Sequence, residues 1–343
     1  MRLPLSLLVC GSLVLSTTAV GTQGPPPAPA PPGRGAPPPA AAPAPPSPES
    51  VERAAQILSA TRQAMGGDTL TSLRSIVANG RTRRVRGNNL VPIEFELYAQ
   101  LPDKYLRRDE SPAEEADPTT VGFSGDELIQ LPAPVMPMMP ARAGGPPPPT
   151  PEQVAMQRRG RVTGIKQEYA RLALGLFADS PGYPLTFSFL AQAEAPQGRA
   201  DVLEARGAAN FTLRFFINAQ TRLPIMVSWS LPPTNVIVTV PGQPAPETVA
   251  PGAVVVAGPA PPAASAPQEE KDAYARAVMA VRQAAQAKPV EHRLYFADYR
   301  DVDGVQLPFR VRRAIGPDTT EETTFDRYRV NNRIDPQRFT PVK

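Results

Sequence analysis

Hydrophobic positions along the chain change period several times, and each change marks an element. Val51, Ala54, Leu58 and Met65 fall at roughly helical spacing behind a Ser47-Pro48-Glu49 start signal, and Gly66-Gly67 closes the segment. The period then drops to two. Leu73, Ser75 and Val77 open an alternation that runs into Arg81-Thr82-Arg83-Arg84-Val85-Arg86, and Gly87-Asn88-Asn89 forms a turn. Ile93, Phe95, Leu97, Ala99 and Leu101 alternate with Glu94, Glu96, Tyr98 and Gln100, the pattern of a half-buried strand. Strands are also expected at 104–109 and around the Ser124-Gly125-Asp126 turn, where Val121 and Phe123 face Leu128 and Ile129 in a hairpin.

A second helix is expected over 152–179, with Ile165, Tyr169, Leu172 and Leu176 on one face and Gly160 and Gly164 weakening its first half. Alternation resumes at Leu185, Phe187 and Phe189, then at 200–205, at Phe211, Leu213, Phe215 and Ile217, and at Ile225, Val227 and Trp229. Two β-branched runs, 236–240 and 254–256, read equally as a strand pair or as linker. A short alanine-rich helix is expected over 269–287. Strands at 293–299, 305–313 and 319–328 end the chain, with Leu307 and Phe309 on one face of the second. Together these are ten or eleven strands and two or three helices. Short turns join most neighbouring strands, so the fold class is mainly β (α+β), a curved antiparallel sheet or incomplete barrel with helices over its concave face.

Composition changes this picture by showing where the fold is not. Of 343 residues, 46 are proline, and 32 of those lie in 25–48, 132–151 and 232–267. The expected organisation is therefore a signal peptide over 1–21, a Pro/Ala-rich spacer over 22–48, and a single domain over 49–343 interrupted by proline-rich insertions at 132–151 and 232–267. Met1-Arg2 followed by the apolar run Leu3–Val20 supports export to the periplasm. Membrane attachment through an uncleaved N-terminal segment, or through a lipidated Cys10, stays open.

The only histidine is His292 and the only cysteine is Cys10, so Cys/His metal clusters and Cys–His nucleophile pairs cannot be built. No Gly-x-Ser-x-Gly elbow partners the histidine, and no glycine-rich phosphate loop is present. The expectation is a protein that is not an enzyme and uses no cofactor and no metal. His292, at the start of a strand, reads as a surface residue, and Asp298, Asp301 and Asp303 read as hairpin-turn residues. Net charge is +4, and arginine far outnumbers lysine. The groups Arg81/Arg83/Arg84/Arg86, Arg107/Arg108, Arg158/Arg159/Arg161 and Arg310/Arg312/Arg313 read as a solvated face or as peripheral contacts to an anionic membrane surface. They lack interleaved aromatics, so no nucleic acid partner is expected.

Four stretches carry a resemblance to a known family. They are Ala64-Met65-Gly66-Gly67 leading through Leu70, Leu73 and Ile76, Gly122-Phe123-Ser124-Gly125-Asp126, Asn218-Ala219-Gln220-Thr221-Arg222-Leu223-Pro224, and Phe296–Phe309 with its Asp301-Val302-Asp303-Gly304 turn. In these the chain resembles the outer-membrane lipoprotein-sorting proteins of the LolA/LolB type and their large acidobacterial-style relatives. The resemblance implies a half-barrel whose concave apolar face binds the acyl chain of a lipid or lipoprotein. The candidate lining is Ile93, Phe95, Leu97, Phe187, Phe189, Phe211, Leu213, Phe215, Ile225, Val227, Trp229, Leu307 and Phe309. The expected molecule is a monomeric carrier or sensor. The alternative is a structural or interaction module of the cell envelope whose core is filled and holds no ligand.

Overall fold

The computed structural model describes residues 45–87, 89–112, 117–133, 150–195, 198–244, 246 and 248–340. The expected signal peptide, Cys10, nearly all of the spacer and residues 134–149 of the second proline tract lie outside the described residues.

Helix α1 spans Pro48–Ala64, capped by the Ser47 hydroxyl accepting from the Ser50 N–H, and α2 is the single turn Asp68–Thr71. A meander follows: β1 (Ser75–Arg86), β2 (Asn89–Gln100), β3 (Lys104–Glu110), β4 (Thr119–Ser124) and β5 (Glu127–Leu131). The long helix α3 spans Pro151–Phe177 and leads to β6 (Leu185–Ala195), β7 (Gly198–Gly207), β8 (Thr212–Asn218) and β9 (Pro224–Leu231). Next come β10 (Asn235–Thr239), β11 (Ala253–Ala257) and α4 (Gln268–Gln286). The closing meander is β12 (Val290–Val302), β13 (Val305–Ile315) and β14 (Asp318–Val330), and a 3-10 turn at Pro336–Phe339 ends the described chain.

Twelve strands make one antiparallel sheet in the order β5-β4-β3-β2-β1-β14-β13-β12-β9-β8-β7-β6. That is more than the ten or eleven expected, and the sheet is not closed, since β5 and β6 lie at opposite edges. The undecided β-branched runs are the separate two-stranded parallel pair β10–β11, against which α4 packs. The sequence in 232–267 is thus partly ordered strand.

The position of α3 follows from this order. It leaves edge strand β5 and enters edge strand β6. Its 27 residues make a rod of about 40 Å at 1.5 Å per residue, long enough to cross the hollow of the curved sheet. Thr150 caps it through a reciprocal capping box with Gln153, and Ala178 in the left-handed region (φ 48°) ends it. Gly175 lets it approach β12 closely: a Cβ there would lie 2.2 Å from the Phe296 ring, and the Gly175 carbonyl accepts from Tyr299 Oη at 3.0 Å.

The core lies between the concave face and the two covering helices. Ala54, Ile57 and Leu58 of α1 and Tyr169, Ala170, Ala173, Leu174, Leu176 and Phe177 of α3 are buried against it. In β1 the inward residues are Ile76 and Ala78, not Ser75 and Val77 as the alternation from Leu73 suggested. Leu73 belongs to the bend before the strand, which shifts the phase by one residue, and a one-residue shift moves side chains to the opposite face. Val77 instead joins a small outer cluster of Tyr98, Leu106, Ile129, Ile334 and Phe339, formed where the C-terminal segment crosses the convex face.

Two of the four resembling stretches meet in the fold. Gly66 (φ +137°) packs against the β12–β13 turn, where a Cβ would lie 2.6 Å from the Gly304 carbonyl oxygen, and the Gln306 N–H donates to the Met65 carbonyl. At the β8–β9 turn, Asn218 Oδ1 accepts from the N–H groups of Gln220 and Thr221. Asp301 accepts from the Gly304 N–H and Asp303 (φ 52°) sits in the β12–β13 turn, as expected of hairpin residues, whereas Asp298 lies inside β12 and pairs with Arg300.

Candidate functional site: a cleft under the overhanging half of α3

The two halves of α3 behave differently. From Tyr169 to Phe177 most residues are buried, whereas between Pro151 and Gly164 only Val162 is. The first half overhangs the wing formed by β3, β4 and β5, and two ion pairs, one from this half and one from just beyond it, tie the helix to the β4–β5 hairpin. Lys166 Nζ meets Asp126 Oδ1 at 2.7 Å, and Arg158 Nη2 meets Glu127 Oε2 at 3.1 Å. The Asp126 carboxyl is held below its usual range by the hydrogen bond from Lys166 and by that charge.

Between overhang and wing lies a cleft of about 550 Å³. Its walls are Tyr105, Arg107 and Asp109 of β3, Thr119 and Val121 of β4, Gln130 of β5, and Arg161, Gly164, Ile165 and Glu168 of α3. Arg161 and Gly164 are exposed at its rim, while Tyr105 is buried at its inner end against Tyr169, ring centroids 4.6 Å apart. Burial pushes the Tyr105 hydroxyl up to about 12. A Cβ on Gly164 would meet no atom within 4 Å, so the cleft is open beside the helix backbone at that point.

An alternating chain of seven charged side chains runs from this cleft across the concave face. Arg107 bonds Asp109 at 2.6 Å and donates to Thr82 Oγ1 at 3.0 Å. Asp109 also meets Arg84 at 3.6 Å, and Arg84 bonds Glu321 at 2.6 Å. Glu321 meets Arg313 at 3.7 Å, Arg313 bonds Glu168 at 2.8 Å, and Glu168 bonds Arg171 at 2.6 Å. Register explains the middle of the chain, because Arg84 of β1, Glu321 of β14 and Arg313 of β13 are direct cross-strand partners. Arg84, Arg107 and Arg313 therefore belong to the concave side and not to a solvated outer face. Burial raises the cost of charge on Glu168, yet Arg313 and Arg171 outweigh it and hold the carboxyl below its usual value.

The chain ends in an aromatic corner. The Arg171 guanidinium lies 4.4 Å from the Trp229 ring centroid and 4.8 Å from that of Phe211. His292 is buried there at 6% exposure and stacks on Trp229 with centroids 5.5 Å apart, so it is not the surface residue expected from its place at a strand start. Its pair register with Trp229 turns it inward. Burial, then the charge of Arg313, lowers its pKa below 6.5.

These two groups predict a pH dependence. A histidine with a lowered folded pKa stabilises fully above 6.5, and that stability is lost as pH falls through the lowered value. Glu168 acts in the same direction below its reference of 4.5. The melting temperature should therefore fall as pH drops below about 6.5, through His292 first, with Glu168 adding to the fall only below 4.5. His292→Phe, which keeps the stack on Trp229, should flatten the upper part of that fall; an unchanged slope between pH 7 and 5.5 would contradict it.

The thirteen residues expected to line an acyl cavity lie elsewhere. Phe95, Leu97, Phe211, Leu213, Phe215, Val227, Trp229, Leu307 and Phe309 are buried in the core beneath the helices. Phe187 and Phe189 pack on it from the edge, Phe189 under the Arg53 guanidinium at 3.7 Å. Ile93 is buried outside that cluster, and Ile225 sits half-buried at the register shift between β8 and β9. None of the thirteen lines the cleft. The sequence signals for the cleft were weaker: the glycines of α3, Ile165 ahead of its buried stretch, and Val121 in the hairpin.

Among the described residues, no helix is long and apolar enough to cross a membrane. Comparison with family models and with curated proteins gives no match. Three solved structures are similar in outline. A LolA superfamily protein from Nitrosomonas europaea matches with a TM-score of 0.42 and 12% identity, over 84% of this chain and 97% of that one. A DUF1329 family protein from Desulfovibrio piger matches with a TM-score of 0.42 and 9% identity, over 85% and 97%. An outer membrane lipoprotein-sorting protein domain from Vibrio parahaemolyticus matches with a TM-score of 0.40 and 7% identity, over 84% and 97%.

Proposed function

We propose that this protein is a non-catalytic carrier or sensor of the cell envelope that holds the acyl chain of a lipid or lipoprotein in the cleft between α3 and the β3–β5 wing. The observation that carries this reading is the cleft itself, with Tyr105, Val121 and Ile165 supplying apolar wall and Gly164 leaving the helix side open. A methylene occupies about as much space as a water molecule, roughly 30 Å³, so 550 Å³ admits at most about 18 of them. That is one chain of ordinary length. Each methylene taken out of water contributes about 0.8 kcal/mol. Arg81, Arg83, Arg310 and Arg312, exposed on the convex face, are the side chains available for peripheral contact with an anionic membrane surface.

The filled concavity under α1 and the second half of α3 favours a second reading, a structural module of the envelope that holds no ligand. One experiment separates the two. Native mass spectrometry of protein purified from cells should show a co-purifying lipid at one per chain, and a fluorescent fatty acid should bind with the same stoichiometry. Absence of both would leave the structural module.

A further inference from the structure

We infer that the cleft selects a single-chain amphiphile with an anionic head group, a carboxylate or a phosphate, and that Arg161 at the rim meets that head. The inference rests on the proposed acyl-binding role of the cleft and specifies its ligand. The first observation is the charge arrangement behind the cleft. Its two carboxylates are each already held by two guanidiniums, Asp109 by Arg107 and Arg84, Glu168 by Arg313 and Arg171. The alternating chain begins and ends on arginine, with four guanidiniums to three carboxylates. Neither acid is left to repel an anion, and the chain as a whole keeps one positive charge.

The second observation is independent of that chain. Arg161 lines the cleft at its exposed edge and has no ion-pair or hydrogen-bond partner among the described residues. It stands one helical turn before Ile165, the apolar wall residue of α3. A ligand lying along this wall would place a chain against Ile165, Val121 and Tyr105 and a head group beside a free guanidinium, which recognises carboxylate and phosphate in the same planar way.

Isothermal titration of the full chain with dodecanoate, dodecyl phosphate, dodecanol and inorganic phosphate tests this. Both anionic chains should bind at least tenfold more tightly than dodecanol, one per protein, and the preference should shrink as salt is raised. Arg161→Ala should weaken dodecanoate and dodecyl phosphate about fivefold or more and leave dodecanol unchanged, with Arg161→Lys restoring part of the loss. Equal affinity for dodecanol and dodecanoate would overturn the head-group assignment while leaving an acyl-binding cleft in place. Inorganic phosphate binding as tightly as dodecyl phosphate would overturn it too, since the chain would then contribute nothing. If none of the chains binds, the proposed function itself fails and the inference falls with it.

Discussion

Val121→Glu is expected to lower affinity for a fluorescent fatty acid by more than tenfold while the melting temperature stays near that of the parent protein. Val121 stands on the inner face of β4, lines the cleft and is 38% exposed, so a carboxylate there keeps its access to water in the free protein. A bound chain would remove that water and leave the charge against methylenes, a cost of several kcal/mol unless the ligand is expelled. Gly164→Leu tests the same space by filling it. A Cβ at Gly164 clashes with nothing, and replacing a mid-helix glycine by a good helix former stabilises by about 0.5–1 kcal/mol. Binding should fall while stability rises, a pair of opposite signs that general damage to the fold cannot produce. Unchanged binding in both variants would place the acyl chain elsewhere.

Phe215→Ala is expected to cost about 3–5 kcal/mol of stability, read as a lower denaturant midpoint, and to leave the affinity of the still-folded protein for the same probe unchanged. Phe215 is 0% exposed, paired in register with Leu203 and Val227 on the inner face and covered by the helices. Against a typical total of about 5–15 kcal/mol this is a large fraction, so measurement below room temperature or with stabilising osmolyte keeps enough folded material for titration. A loss of affinity out of proportion to the loss of stability would restore Phe215 as a ligand contact. Phe215→Glu would be a poorer probe, because an unpaired charge at this depth unfolds the domain before it reports on binding.

The two substitutions mark what was legible beforehand. Alternation identified Phe95, Leu97, Phe211, Leu213, Phe215, Leu307 and Phe309 as the inner face of a curved sheet, and they are its core. The same pattern holds whether such a face is covered by helix or by ligand, because both bury it equally well. What covers the face depends on where α3 ends up, and that is set by strand order: a connection from β5 to β6 joins opposite edges of the sheet and so crosses the hollow. The cleft could not be read from periodicity, since Tyr105, Val121 and Ile165 come from three elements that only the fold brings together.

Charge shows the same division. Arg84, Arg107 and Arg313 stand in basic clusters that read as outer-face groups, yet each points inward to a carboxylate. Alternation along β13 already placed Arg313 in phase with Leu307 and Phe309. Its partner Glu168 lies 145 residues away, beyond the reach of any local pattern. His292 is likewise buried by a neighbour on another strand, Trp229, that its own sequence context does not reveal.

By itself the sequence determined most of the elements, the antiparallel meanders, the inner face of most strands and the exclusion of Cys/His chemistry, because propensity, side-chain period and turn residues are local properties of the chain. The tertiary structure alone decided that helices fill most of the concavity, that a cleft remains under the overhanging half of α3, and that seven charges link that cleft to a buried histidine. Those features arise from strand order and cross-strand register, where residues far apart in the chain become neighbours.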